Sequence, residues 1–362
     1  MSRDLRVDAG FGLNRRNGPA PMPPANPDPY ASTPTPPPGA LGGPLTTLDA
    51  AGRARFERGR VAFTTAFRED FGLGPYFEER SCAACHFHPV VGGTAPSRLL
   101  WISPGPPPAF ETEHHPAHAL PGWPPRPPPE GASYSRPRPL FGLGLIERVP
   151  DEVVIAGCDP DDRDGDGVRG RPSMHEGRLH RFGAKAHQRT VRDFAQNALF
   201  DDINITSGHD RFFGEDRDSH PDPEVSDRYI DELADFVRGL APPPRDGEHP
   251  AGEAVFQRVG CAACHRRDLG PEAPGSYTDL CLHDMGADLD NHIRDKAARG
   301  PDFRTPPLWG LRHQRTLLHN GQARTPTEAI LAHGGEAAPS RSRFNALSPE
   351  DRAALLAFLQ TL

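Results

Sequence analysis

Cys82-Ala-Ala-Cys85-His86 and Cys261-Ala-Ala-Cys264-His265 govern what this sequence can become. Two cysteines three apart accept thioether bonds from both vinyl groups of one haem, and the histidine that follows is placed to ligate its iron. The competing use of two CxxC pairs is a zinc site. Structural zinc pairs usually lie about 15–20 residues apart, whereas most of a domain separates these two. A Cys₄ zinc site also has no use for a histidine directly after each pair. The chain is therefore expected to carry two covalent c-type haems, one on Cys82, Cys85 and His86 and one on Cys261, Cys264 and His265.

Working outward, each pentapeptide follows a helical pattern. Phe56, Phe63 and Phe67 share one face of a helix expected to stop at Gly72, and a second helix runs through Val255 and Phe256 into Cys261. Each half closes on another helix. Over residues 224–240 the apolar stripe is Ile230, Leu233, Phe236, Val237 and Leu240, broken by the prolines after Ala241. At the C-terminus Ser348, Pro349 and Asp351 form a capping pattern ahead of Leu355, Leu356, Leu359 and Leu362.

ELADFVRGL, ending at Leu240, lines up with ALLAFLQTL, ending at Leu362. RPRPLFGL, from Arg136, lines up with RTPPLWGL, from Arg304. The halves read as one plan used twice. The expected fold is all-α with long Pro-rich loops and little or no sheet, in two cytochrome c-like domains related by internal duplication. The expected boundaries are a Pro-rich extension over 1–45, a first domain over 46–245 with loop insertions, and a second over 246–362.

Composition agrees with a loop-rich protein. Of 362 residues only 36% are hydrophobic and 44 are proline, so much of the length must be ordered loop, including the Pro- and His-rich run from Trp101 to Arg138. A net charge of −8 gives no reason to expect nucleic acid as a partner. No run of about 18 apolar residues is present, so no membrane span is expected. The N-terminal MSRDLRVDAGFGLNRR lacks the apolar core of a secretory signal. Because c-type haem is attached outside the bacterial cytoplasm, the expected location is still periplasmic or extracellular, with the leader removed or the start misassigned.

With both motifs placed, the chain resembles the dihaem oxidoreductases of peroxidase type, also labelled thiol oxidoreductases, which are related to bacterial dihaem cytochrome c peroxidases. The resemblance rests on SCAACHFHPVVGG, PLFGLGLIERVPDEVV, DRDGDGVRGRPS, HRFGAKA, YTDLCLHDMG, and FRTPPLWGLR with LLHNGQARTPTEAILAHGGEA. It covers most of the chain from about residue 46 onward. It implies a peroxidase-type enzyme that takes electrons from a small donor of cytochrome or cupredoxin type and activates hydrogen peroxide or dioxygen.

The resemblance also implies ligands. In such proteins the sixth ligand of the C-terminal haem follows the histidine of an HNG-like turn, and here His333 follows His319 by fourteen residues. The second haem is expected to be bis-histidine, His265 and His333, with His319 or Met285 as the alternatives and with a lower potential than methionine would give. VPDEVVIAG aligns with TPTEAILAH so that Gly157 falls on His333. Glycine cannot ligate, which argues for an open position at the His86 haem. His88, His114, His115, His118, Met174 and His175 lie near in sequence as substitute ligands.

Dihaem peroxidases place a glutamate at the open haem to move protons. Glu147 is the candidate here, and a solvated glutamate paired with Arg148 or another surface cation is the plainer use of that residue. Leu145 and Ile146 stand where such relatives carry a bridging tryptophan. Trp309 is either an inter-haem residue or a core one.

Asp162, Asp164 and Asp166, with Gly167 for the turn, have the alternating spacing of a calcium loop. Ser173 stands where an EF-hand has its glutamate, so the expectation is a structural Ca²⁺ loop or a solvated acidic turn. Cys158 and Cys281 pair in an oxidising compartment or remain buried thiols. The rival functions are a pure electron-transfer cytochrome and an oxygenase or oxidase acting on an organic or protein substrate.

Overall fold

The computed structural model describes residues 26–27, 30–97, 99–104, 112–208, 218 and 220–362. The N-terminal segment and most of the Pro-rich extension before residue 30 lie outside the described residues.

Asp49 accepts the Gly52 N–H and opens α1 (Ala50–Phe63). The helix ends well before Gly72. The Thr64 and Thr65 hydroxyls turn back onto the carbonyls of Arg60 and Val61, at 2.9 and 2.7 Å, and a β-branched pair favours leaving the helix. Phe67 still enters the core, from beyond the helix and the short strand Thr65–Ala66. The remaining helices are α2 (Cys82–Cys85), α3 (Leu143–Arg148), α4 (Asp151–Gly157), α5 (Val191–Ile203), α6 (Asp227–Gly239), α7 (Pro250–Val259), α8 (Pro326–Ala332), α9 (Ala338–Asn345) and α10 (Pro349–Leu359).

The expected all-α fold is corrected: the chain is 34% helix and 14% strand. The strands form five small antiparallel sheets. In chain order they are β1 (Asn26–Pro27), β2 (Thr65–Ala66), β3 (Tyr76–Phe77), β4 (Leu100–Pro104), β5 (Thr112–His115), β6 (His118–Ala119), β7 (Ser133–Ser135), β8 (Ser173–His175), β9 (Arg178–His180), β10 (Leu282–Asp284) and β11 (Asp302–Arg304). The largest sheet, β5-β4-β7, lies inside the Pro- and His-rich run. The physical reason is that backbone polar groups in a long insertion need partners. Stretches too short to show a period of two supply them to one another.

The repeat is visible in the packing. α1 crosses α6 in the first half, and α7 crosses α10 in the second. Phe63 meets Phe236 at 4.8 Å between ring centroids, and Phe256 meets Phe358 at 5.3 Å. Glycine sits at both crossings. A Cβ on Gly59 would stand 2.1 Å from the Glu232 carbonyl oxygen, and one on Gly252 would stand 2.1 Å from that of Ala354. Glu232 and Ala354 are aligned positions of the repeat.

In an unpacked helix alanine would gain about 1 kcal/mol over glycine. Here the clash is with a backbone atom that cannot swing away, so Gly252→Ala is expected to lose about 1–3 kcal/mol overall. Denaturant unfolding of the loaded protein measures this.

One core surrounds Phe56, Phe236 and Leu240, and Leu280 and Trp309 from the second half join it. A smaller core gathers Val255, Phe256, Phe344, Leu355 and Phe358. Among the described residues no helix is long and apolar enough to cross a membrane.

Candidate haem sites

The two pentapeptides enter the structure in matching ways. α2 carries Cys82 and Cys85, capped by the Ser81 hydroxyl on the Ala84 N–H. After α7, Gly260 takes a left-handed conformation and the chain makes a 3₁₀ turn over Cys261–Ala263. His86 Nδ1 donates to the Gly93 carbonyl at 2.9 Å, and His265 Nδ1 donates to the Tyr277 carbonyl at 3.0 Å.

The next residue repeats the pattern. The Thr94 hydroxyl donates to the Pro137 carbonyl at 2.6 Å, and the Thr278 hydroxyl to that of Thr305 at 2.7 Å. Pro137 and Thr305 are aligned positions of RPRPLFGL and RTPPLWGL. A carbonyl only accepts, so each Nδ1 carries the proton and each Nε2 keeps its lone pair. That is the tautomer an iron ligand needs.

His333 shares this geometry. It caps the end of α8 and donates Nδ1 to the Ala329 carbonyl at 2.6 Å. Burial holds His86 and His333 below the usual histidine range and pushes His265 down to about 4, against the pull of the Tyr277 carbonyl. All three are thus neutral imidazoles, the form that binds metal.

His265 and His333 line one cavity of about 260 Å³, together with Cys261, Cys264, Met285 and Trp309. Its walls are mostly apolar, as a porphyrin face requires, and the residues present fit a haem.

Both alternative ligands also reach the cavity. The His319 ring stacks on Phe303 at 3.9 Å, and the Lys185 ammonium lies 3.8 Å from the centre of the Phe303 ring. No hydrogen bond orients the His319 ring among the described residues. Burial and the charges of Arg138, Lys185 and Arg136 push His319 down to about 3.

Near the first motif the structure brings together a pair that the sequence did not reveal. His114 on β5 holds its Nδ1 2.8 Å from Asp202 Oδ1 on α5. Burial opposes its charge, but Asp202, together with Asp201 and Glu78, raises His114 to about 9. Asp202 lies close enough to His86 to act on that imidazole electrostatically. Among the described residues His114 Nε2 has no hydrogen-bond partner.

Glu147 faces elsewhere. Its Oε2 accepts from Arg238 Nε at 2.5 Å, and its Oε1 accepts from Arg238 Nη2 at 3.1 Å and from the Val191 N–H at 2.8 Å. These bonds tie α3 to α5 and α6. Gly157 lies beside Arg266, whose Nη1 would be 3.3 Å from an added Cβ.

His115 bonds the Ser103 hydroxyl at 2.7 Å, His118 packs on Phe77 at 5.7 Å, and Met174 is exposed. Trp309 lines the second cavity and also packs on Gly142 of the first half, where a Cβ would stand 2.4 Å from its ring.

The sequence reading also passed over His283. It is 2% exposed, with Nε2 2.9 Å from Asp279 and Nδ1 2.9 Å from Glu336, and it lines the second cavity. The spacing of Asp279 and His283 was the only local signal. Between them Cys281 forms a disulfide with Cys158, at a Cα separation of 5.8 Å.

Asp162, Asp164 and Asp166 bring one carboxylate oxygen each within 4.8 Å of the others. Ser173 is fully buried and donates to the Ala186 carbonyl at 2.9 Å, so it offers nothing to that loop.

Two CxxC turns, each followed by an imidazole whose Nε2 keeps its lone pair, suit a protein of two haems. Residues 132–362 match the family described as "Di-haem oxidoreductase, putative peroxidase", and the chain belongs to that family.

Among solved structures it is similar to hydrazine synthase from Kuenenia stuttgartiensis, at 15% identity and a TM-score of 0.44, covering 91% of this chain and 97% of that one. It is also similar to the diheme peroxidase BthA from Burkholderia thailandensis, at 14% identity and a TM-score of 0.35, covering 72% and 94%. A MauG-like protein associated with microbial copper homeostasis follows at 16% identity and a TM-score of 0.34, covering 67% and 94%. At these TM-scores the likenesses carry no argument about function. No curated protein matches the chain.

Proposed function

We propose that this chain is a periplasmic or extracellular c-type dihaem peroxidase with two unlike haem sites. The observation that carries the reading is the difference between the sites. The second cavity holds two neutral imidazoles oriented by backbone carbonyls, His265 and His333. At the first, the imidazole supplied by the motif is His86, while the nearby His114 is held charged by Asp202. An imidazolium has no lone pair for iron, but it has a proton to give.

When bound, the haems supply electron storage and the iron position at which peroxide is reduced. His265 and His333 would both hold the iron of the C-terminal haem, which would take electrons from a small cytochrome or cupredoxin-type donor. His86 would hold the iron of the N-terminal haem alone, leaving it free to take peroxide. Reduction of hydrogen peroxide to water consumes protons as well as electrons, and His114 donates from its Nε2 while Asp202 stabilises the charged form. Glu147 serves in the same role only after releasing Arg238, so His114 stands ahead of it. The Cys158–Cys281 disulfide supports an oxidising compartment.

His333 is the direct test of the asymmetry. His333→Gly is expected to turn the second haem high-spin or make it bind added imidazole, and His333→Met to keep it low-spin at a higher potential. Optical and EPR spectra with a redox titration read both. A low-spin spectrum unchanged in both variants assigns the ligand to His319 or Met285 instead.

A further inference from the structure

Arg181 is buried and pairs with Asp151, and the partly buried Arg171 lies 2.6 Å from Asp302. Three arginines around the second cavity have no such carboxylate among the described residues. Arg136 is 8% exposed. It spends Nε on the Leu318 carbonyl and Nη2 on Gln314, at 2.7 and 2.9 Å, while its Nη1 is buried with no partner. Arg304, its aligned counterpart in the repeat, is 6% exposed and donates only to the carbonyls of Gly183 and Thr305. Arg138 makes no side-chain hydrogen bond and no ion pair among the described residues.

All three line the second cavity. They also act on one another: burial first, then the Arg138 charge, pushes Arg136 and Arg304 down to about 9, and burial takes Arg138 to about 10. Each is still a cation at neutral pH. Burying a charge without a partner is costly. Two buried guanidinium groups, with the partly buried Arg138 beside them in one wall, call for an anion that enters the cavity. The group that fits this cavity carries its own carboxylates, the two propionates.

Arg138 has a second attachment. Its backbone lies against His86 closely enough to act on that imidazole. One residue therefore reaches from the first axial histidine to the second cavity.

Resting on the haem reading above, we propose that Arg138, flanked by Arg136 and Arg304, seats a propionate of the haem held by Cys261 and Cys264, and so fixes that haem relative to His86. Arg138 is a positioning residue in this account. A guanidinium beside a propionate cancels negative charge near the iron and favours the ferrous state. Its removal should therefore favour the ferric state.

The test uses the loaded protein carrying Arg138→Gln and, separately, Arg138→Lys. Intact mass counts the haems, and a spectroelectrochemical titration follows both midpoints. Arg138→Gln is expected to keep two haems and shift the second haem to lower potential, with several-fold less of it reduced at a fixed poise. Arg138→Lys is expected to recover most of that shift. Loss of the second haem in the glutamine variant alone also supports the proposal. An unchanged second midpoint in Arg138→Gln overturns it. Equal shifts, or equal haem loss, in both variants overturn it as well, because a role in shape alone would not respect the charge. A wild-type chain without haem sinks the haem reading itself, which the mass count distinguishes.

Discussion

Removing Cys261 and Cys264 together, as alanines, is expected to leave a chain that matures with one haem in place of two. The remaining haem should be the one on Cys82 and Cys85, and the reverse pair of substitutions should leave the other. Each thioether needs its own sulfur. Among the six cysteines Cys158 and Cys281 are already spent on each other, so no other sulfur substitutes. The loss should reach beyond the cofactor. Without the haem the second cavity of about 260 Å³ would lose its filling, and Arg136, Arg138 and Arg304 would keep no anion. The double variant should therefore also unfold more easily. Intact mass after expression with a c-type haem maturation system reads the first effect, and thermal melting reads the second. A haem-free wild-type protein that binds zinc through the same cysteines would end this account.

The second large effect is expected at His114. His114→Gln should slow peroxide turnover by about 10²–10⁴-fold, the usual cost of losing a positioned acid or base, and should leave the ligands of both haems in place. The pH profile separates a proton donor from a structural histidine. His114 is raised above its ordinary range to about 9 by Asp202. The charged pair is therefore fully formed below the ordinary histidine value of about 6.5 and is lost as pH rises through about 9. Turnover should fall on that alkaline limb. Asp202→Asn removes the main cause of the shift and should move the limb to lower pH.

Glu147→Gln is the companion experiment. Its carboxylate anchors α5 and α6, so the expected effect is on stability more than on rate. A Glu147→Gln rate loss matching that predicted for His114, with His114→Gln turning over normally, returns the proton role to Glu147.

What could be read from the sequence follows from the range of each signal. The CxxCH turns are local and need no tertiary context, and the apolar stripes of α6 and α10 are long enough to show their period. Even the arginines were visible, since Arg136 and Arg304 begin the two aligned segments. The sheets were not legible, because strands of two to five residues show little period and pair across insertions. α5 was missed although Thr190 caps it through the Asp193 N–H and Val191, Leu199 and Ile203 recur on its buried face. The His114–Asp202 and Glu147–Arg238 pairs join residues 88 and 91 positions apart, which no local pattern reports. Gly157, which the sequence aligns with His333, lies beside Arg266 of the second half, a neighbour that no local pattern reports.

The central claim is that one iron is closed by two histidines and the other is open. The EPR spectrum of the ferric protein as isolated tests it most directly. The account predicts one low-spin signal and one high-spin signal, with only the high-spin signal changing when cyanide is added. Two low-spin signals, unaltered by cyanide in the ferric state or by carbon monoxide after reduction, would contradict it and make the protein an electron carrier.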